Sequence, residues 1–529
     1  MYPAQLFHSQ LWLRLLRARL AAELSLVLLA TVSVSAIASA LAFPVYDDCY
    51  LLLIVKELGR GAVQAAHPDR PIFGWLLQIV APLVLHPVAL AVLNACCWLA
   101  FGALAAAVAA SLLGRRFVPA AGVLSVAPLV VQTQTTTVTT CFAANVPVLL
   151  VLVALLLLLP AAGRGGRPGA VRLAGAALFL IAGVLISEYA VAAAAASISL
   201  LGVLWASRRP GGVCAGAPAI IALTAAGTAA YFVFAALSNT SVRPEVVPQL
   251  RFAATPPAEV PFGILSGGWY AVAGAYGRAA AALYITWDSK STVLALGFGL
   301  FIAVLLYFGG RREKADNHFA ALPALLAALA MGMLPIVFMG RSLLPESAVR
   351  SRFLLPVLPF AVACTLYLYS ALSKPAVRSI LIATLGLLAG FATVQTAAGQ
   401  VREQNVARKL GDFLLERNRG RTGLTVVVVP SPLGSGNLTA KITYAWPGTE
   451  SRRLWVLNAE DARERFGPRS ACRLPSAAGM QPSLRWHRSG HIDELAWMDL
   501  RDDHIAGMQP YCIGATAAAE ITPAPVRTP

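Results

Sequence analysis

Charge is what this chain has least of. Of its 529 residues only 13% are Asp, Glu, Lys or Arg, while 58% are hydrophobic. A soluble domain carries about 25% charged residues, so a mainly water-solvated body is excluded. Acidic residues are the scarcer sign, 25 against 42 basic ones. The resulting net charge of +17 does not point to nucleic acid. The basic residues come in short clusters between apolar runs, with no long basic face and no nucleic-acid motif. Regular apolar–polar alternation is missing from the apolar runs, which excludes a transmembrane β-barrel. No CxxC pair and no Cys/His group has zinc spacing. Most of the eight cysteines lie inside apolar runs, where the residue behaves as a small buried hydrophobe. There is also no internal repeat of the kind many transporters carry.

What the chain does have is a succession of Leu-, Ala- and Val-rich runs of roughly 20 residues, the length a helix needs to cross a bilayer core. The first, Leu24 to Phe43, follows Arg14, Arg17 and Arg19 and is too long for a signal-peptide core. Further helices are expected near 86–113, 117–134, 142–161, 172–187, 190–206, 214–237, 291–309, 319–339, 353–372 and 376–396. Basic clusters fall on every second connection: Arg115-Arg116, Arg164 to Arg172, Arg208-Arg209, Arg311-Arg312 with Lys314, and Lys374 with Arg378. The positive-inside rule then places the N-terminus in the cytoplasm and the C-terminus outside the plasma membrane, with about eleven spans. The fold class expected is an α-helical polytopic membrane protein over residues 1–396, followed by a small extracytoplasmic α/β domain over 397–514. The tail 515–529, rich in Ala, Thr and Pro, is expected to be disordered.

Within the C-terminal portion, Val401, Leu410, Phe413 and Leu414 recur near helical spacing. The β-branched run 424–430 reads as a buried strand, and 452–458 as a candidate second one. Cys472 and Cys512 lie in this polar portion, either joined as a disulfide in an oxidising compartment or left as two free thiols.

This topology assembles an outer surface. Its first loop, Pro44 to about Leu85, begins with Asp47-Asp48, continues through an amphipathic stretch Cys49 to Leu58, and then presents His67, Asp69 and Arg70. Adjacent carboxylates raise each other's pKa, which suits one of them to act as a general base toward a hydroxyl. The pair is equally suited to hold a magnesium or manganese ion against a phosphate leaving group, or is simply the solvated end of a helix. The second outer loop is the polar run Gln132 to Thr140, and the third is the turn Ser187-Glu188-Tyr189. A carboxylate between two strongly apolar runs costs several kcal/mol unless it is paired or wet. Glu188 is therefore a candidate to bind a sugar hydroxyl or a metal, with Tyr189 stacking on the sugar, or else belongs to a short exposed turn. The fourth loop, roughly 238–290, holds Trp269, Tyr270, Tyr276, Tyr284 and Trp287. The fifth, 341–352, contains Arg341, Arg350 and Arg352. Arginine forks pair bidentately with phosphate, although arginines at a helix mouth also snorkel to lipid headgroups.

An acidic pair directly after the first helix, followed by a juxtamembrane helix, resembles the first outer loop of membrane glycosyltransferases of the GT-C superfamily. Protein O-mannosyltransferases, lipid A aminoarabinose transferases and serotype-converting O-antigen glucosyltransferases share that layout. Ser351-Arg352-Phe353-Leu354-Leu355-Pro356 with Pro359 is similar to the RYLLP..P opening of a late helix in bacterial members, with Phe in place of Tyr. The resemblance covers the helical part, 1–396. It implies transfer of a sugar from a polyprenyl-phosphate donor to a cell-envelope glycan, lipid or protein on the outer face. In that reading Asp47 or Asp48 is catalytic, and His67, Asp69, Arg70, Glu188, Tyr189, Arg350 and Arg352 bind substrate. The resemblance fixes no cofactor; a divalent cation, if used, belongs to Asp47 and Asp48. The alternative is a polytopic transporter or lipid flippase, for which the QTQTTTVTT run at 132–140 would line a pathway.

Overall fold

A computed structural model describes residues 72–80, 87–114, 117–130, 144–208, 212–239, 257–269, 289–309, 321–338, 354–372, 379–391, 425–429 and 454–458, with positions 374, 376, 377 and 394. The apolar runs are helices, because in a continuous apolar segment only the helix satisfies every backbone N–H and C=O locally. In chain order these are α1 (Phe73–Val80), α2 (Pro87–Leu113), α3 (Val118–Val130), α4 (Val146–Arg164), α5 (Ala170–Ile186), α6 (Tyr189–Arg208) and α7 (Gly212–Asn239). There follow α8 (Val260–Trp269), α9 (Ser289–Gly309), α10 (Ala321–Phe338), α11 (Leu358–Leu372) and α12 (Ser379–Phe391).

Among the described residues, four helical segments are long and apolar enough to cross a membrane: Ala95–Leu113, Val146–Arg164, Tyr189–Ser207 and Gly212–Val233. Five shorter apolar segments accompany them, from α5, α9, α10, α11 and α12. The helices coincide with the runs expected from residue 86 onward, while Leu24 to Phe43 lies outside the described residues. Two helices lie in stretches expected to be loops, and one of them, Phe73–Val80, falls within the first outer loop, Pro44 to about Leu85. The other, Val260–Trp269, was assigned wholly to the fourth loop, yet it is an apolar α-helix introduced by a short 3-10 turn, Pro257–Glu259. At 10 residues it is too short to register as a span, which is why a 20-residue apolar window passes over it.

Helix ends follow local chemistry. Gly165 closes α4 in the left-handed region (φ 64°), its N–H bonding to Ala162 O while Gly166 N–H reaches Ala161 O. Arg164 sits in that last turn, where a cation complements the carbonyl end of the helix. Trp205, fully buried near the end of α6, donates its indole N–H to Gly166 O at 3.0 Å. Gly212 and Gly216 of α7 lie so close to Trp205 that a Cβ at either would collide with it.

The centre of the bundle is α6, which packs against α4, α5, α7 and α10. Close approaches at glycine fix the direction of neighbours. A Cβ on Gly175 would meet Leu157, and one on Gly183 would meet Pro147 O and Val151, so α4 and α5 run antiparallel. Gly299 on α9 faces Leu387 and Phe391, and Gly386 on α12 faces Ile302 and Leu306, again antiparallel. Gly386 and Gly390 form a GxxxG pair of the kind that lets two membrane helices approach closely.

In the C-terminal portion, β1 (Thr425–Val429) and β2 (Leu454–Asn458) pair in parallel, with Thr425 opposite Leu454 and Val429 opposite Asn458. Both expected strands therefore exist and touch. A parallel pair needs a crossover connection; residues 430–453 and the amphipathic stretch near 401–414 lie outside the described residues.

Candidate functional site

The turn joining α5 to α6 takes two residues, Ser187 and Glu188. Ser187 leaves the helix in an extended conformation (φ −165°, ψ 153°), and its N–H closes α5 on Gly183 O at 3.2 Å. Its carbonyl accepts from Ala190 N–H at 3.1 Å, and that of Glu188 accepts from Val191 N–H at 3.1 Å, which starts α6. So sharp a reversal places Glu188 directly on the N-terminus of the most enclosed helix.

Ser187 is fully buried, and its hydroxyl has two partners. It donates to Glu188 Oε2 at 2.9 Å and accepts from Tyr189 N–H at 3.5 Å. Glu188 itself is half-buried, with its carboxylate held by this hydroxyl, while Tyr189 is buried. A carboxylate immediately before a helix N-terminus is favoured by the helix dipole, by about 0.3–1 kcal/mol. Glu188 and Glu259 are the carboxylates among the described residues, and Glu188 alone lies within the packed bundle. Chemically the arrangement offers an oriented anionic acceptor, suited to a hydroxyl or ammonium donor.

Packing brings other segments to the same end. Gly183 lies against Pro147 and Ala190, which puts the entry of α4, with its buried Asn145, beside the turn. Gly332 of α10 lies where a Cβ would stand 2.5 Å from Val357 Cγ1, 2.9 Å from Ala196 Cβ and 3.3 Å from Ala192 O. The first two turns of α6 thus meet α10 and the approach to α11. That approach, Leu354 to Val357, is a buried turn in which Val357 N–H bonds to Leu354 O at 3.0 Å. Leu354 and Leu355 of the SRFLLP stretch are therefore packing residues.

Of the residues singled out from the sequence, Glu188 and Tyr189 are described and adjoin one another. Asp47, Asp48, His67, Asp69, Arg70, Arg350 and Arg352 lie outside the described residues, as do Arg341, the run Gln132 to Thr140, and Cys472 and Cys512. Among the described residues no group of three or more His, Cys, Asp or Glu could hold a metal ion. Ser187 had been noted only as part of the turn; its signal was a hydroxyl next to the one carboxylate in a long apolar stretch. Three further polar atoms, Trp98 Nε1, Ser125 Oγ and Ser197 Oγ, are buried without a hydrogen-bond partner among the described residues. No protein-family profile, curated protein or solved structure matches this chain, so its local chemistry and its topology carry the functional argument.

Proposed function

We propose that this chain is a GT-C-type membrane glycosyltransferase that moves a sugar from a polyprenyl-phosphate carrier to a cell-envelope acceptor on the outer face of the plasma membrane. The observation that carries most weight is Glu188, a carboxylate oriented by buried Ser187 at the helical end where the SRFLLP stretch enters α11. In this reading Asp47 or Asp48 takes the proton of the acceptor hydroxyl. The acceptor oxygen then bonds the anomeric carbon as the bond to the lipid phosphate breaks, with inversion. Arg350 and Arg352 stabilise the departing phosphate by charge-assisted hydrogen bonds. Glu188 accepts a hydrogen bond from a sugar hydroxyl, and Tyr189 lies next to it. Any divalent cation would be held by Asp47 and Asp48, where it would neutralise the leaving phosphate.

The test is a gene deletion with surface glycans and lipid-linked sugars compared by mass spectrometry. Complementation uses wild type, Asp47→Asn and Asp48→Asn, each confirmed at normal membrane levels. The expected result is a missing sugar, an accumulated donor lipid and failure of at least one variant to restore transfer. Full restoration by both variants would leave the acidic pair a solvated helix end and remove the catalytic assignment.

A further inference from the structure

The short helix α8 has an unusual surface. Among the residues of α8 whose burial is described, 260–267, the exposed ones are Pro261, Phe262 and Leu265, with Ala258 just ahead of the helix, a spacing that puts them on one face. Phe262 is 68% and Leu265 73% exposed, among the most open large apolar side chains described. The opposite face is committed to protein. A Cβ on Gly263 would stand 2.8 Å from Val337 Cγ1 of α10, and Val260 and Ile264 rest against the core. α8 is therefore firmly seated while offering an apolar stripe outward.

Three further observations identify what covers that stripe. The helix has no charged residue, and its one hydroxyl, Ser266 Oγ, donates to Gly263 O at 3.2 Å and so is satisfied within the helix. Its 10 described residues are about 15 Å long, half the hydrocarbon thickness. It is also bracketed by interfacial chemistry. Exposed Glu259 stands at its start, and Trp269, Tyr270 and Tyr276 follow in sequence, the aromatic composition found at headgroup depth. Its seat at Val337 is five residues from Gly332, at the end of α10 that meets α6 below Glu188.

We infer that α8 is an interfacial helix whose Pro261, Phe262 and Leu265 stripe is seated among the acyl chains of the leaflet at the Glu188 end of the bundle. The partner is a lipid surface, and the inference holds whether or not the chain transfers sugars. It rests only on the helices crossing a membrane.

The test places a benzophenone amino acid at Phe262, Leu265, Leu300 or Lys374 of the full chain, expressed in native membranes. Leu300, 56% exposed on the flank of apolar α9, is the apolar reference, and Lys374, an exposed cation between α11 and α12, is the polar one. After irradiation the adducts are read by mass spectrometry. Phospholipid adducts at 262 and 265, in yield close to that at 300 and several-fold above that at 374, support the interfacial seat. Yields no higher than at 374, or adducts to another protein, overturn it. The two positions on α8 are independent, so if one variant fails to accumulate the other carries the result.

Discussion

Gly297 and Gly299 stand two residues apart on α9 in the sequence Leu-Gly-Phe-Gly-Leu, and the structure gives them opposite roles. A Cβ on Gly297 meets nothing within 4 Å, whereas one on Gly299 would stand 2.7 Å from the backbone oxygen of Leu387 and 3.3 Å from Phe391 N. Ordinary contact begins at 3.4 Å, so Gly299→Ala must part α9 and α12 by about 0.7 Å or bend one of them. The obstacle is main chain of another helix and has no rotamer to move aside. Overpacking of this kind costs about 1–3 kcal/mol. At 1.4 kcal/mol per decade, that lowers the folded-to-unfolded ratio about 5- to 150-fold. Alanine's helix propensity offers little in return, because a membrane helix stays helical when it leaves its neighbours. Gly297→Ala should remain within about 0.5 kcal/mol of wild type. The measurement is unfolding of the purified protein by SDS titration in mild detergent, followed by tryptophan fluorescence. A Gly390→Ala variant should behave like Gly299→Ala, and the double variant should cost less than the sum. Both substitutions strain one contact, since a Cβ on Gly390 lies 2.9 Å from Gly299 Cα. If Gly299→Ala unfolds at the same midpoint as Gly297→Ala, the close antiparallel packing of α9 on α12 is wrong.

Ser187→Ala removes the hydroxyl that holds Glu188 and accepts from Tyr189 N–H; it should cost about 1 kcal/mol of stability in the same titration. In the transferase reading it should also lower sugar transfer, with Glu188→Gln lowering it further, and transfer unchanged in both would leave Glu188 a helix-end residue. Trp205→Phe keeps the buried ring and loses the bond to Gly166 O, at an expected cost of about 1 kcal/mol. Trp205→Ala also opens a cavity and should cost about 3–5 kcal/mol, so equal midpoints for the two would refute the ring's part in that corner. Chelation tests the cation separately. Transfer abolished by a chelator and restored by magnesium or manganese shows that transfer needs a divalent cation, and indifference to chelator excludes one.

Much of the helical architecture could be read along the chain because its cause is local. A continuous apolar run of about 20 residues has one way to satisfy its backbone out of water, so α2 to α7 and α9 to α12 fall where composition puts them. The strand at 425–429 was legible for a related reason, a β-branched run bounded by turn residues, while that at 454–458, Leu-Trp-Val-Leu-Asn, was legible only as a short apolar run. Glu188 was legible as an ionisable residue in apolar surroundings, since desolvation makes such a residue conspicuous without any knowledge of its neighbours.

Other properties depend on which surfaces meet. That Ser187 orients Glu188 depends on the conformation of a two-residue turn, while the burial of the SRFLLP leucines and the gathering of α6, α10 and the entry to α11 at Gly332 arise from contacts between helices far apart in sequence. Gly297 and Gly299 are equivalent by composition and distinct only because one faces another helix. The α8 segment escaped notice because hydropathy registers length, and a half-buried helix of 10 residues is set by its seat on Val337. By itself the sequence determined where the chain is apolar enough to be helical and where a charge is out of place. The tertiary structure decided which helices touch and what surrounds that charge, because packing is a property of paired surfaces.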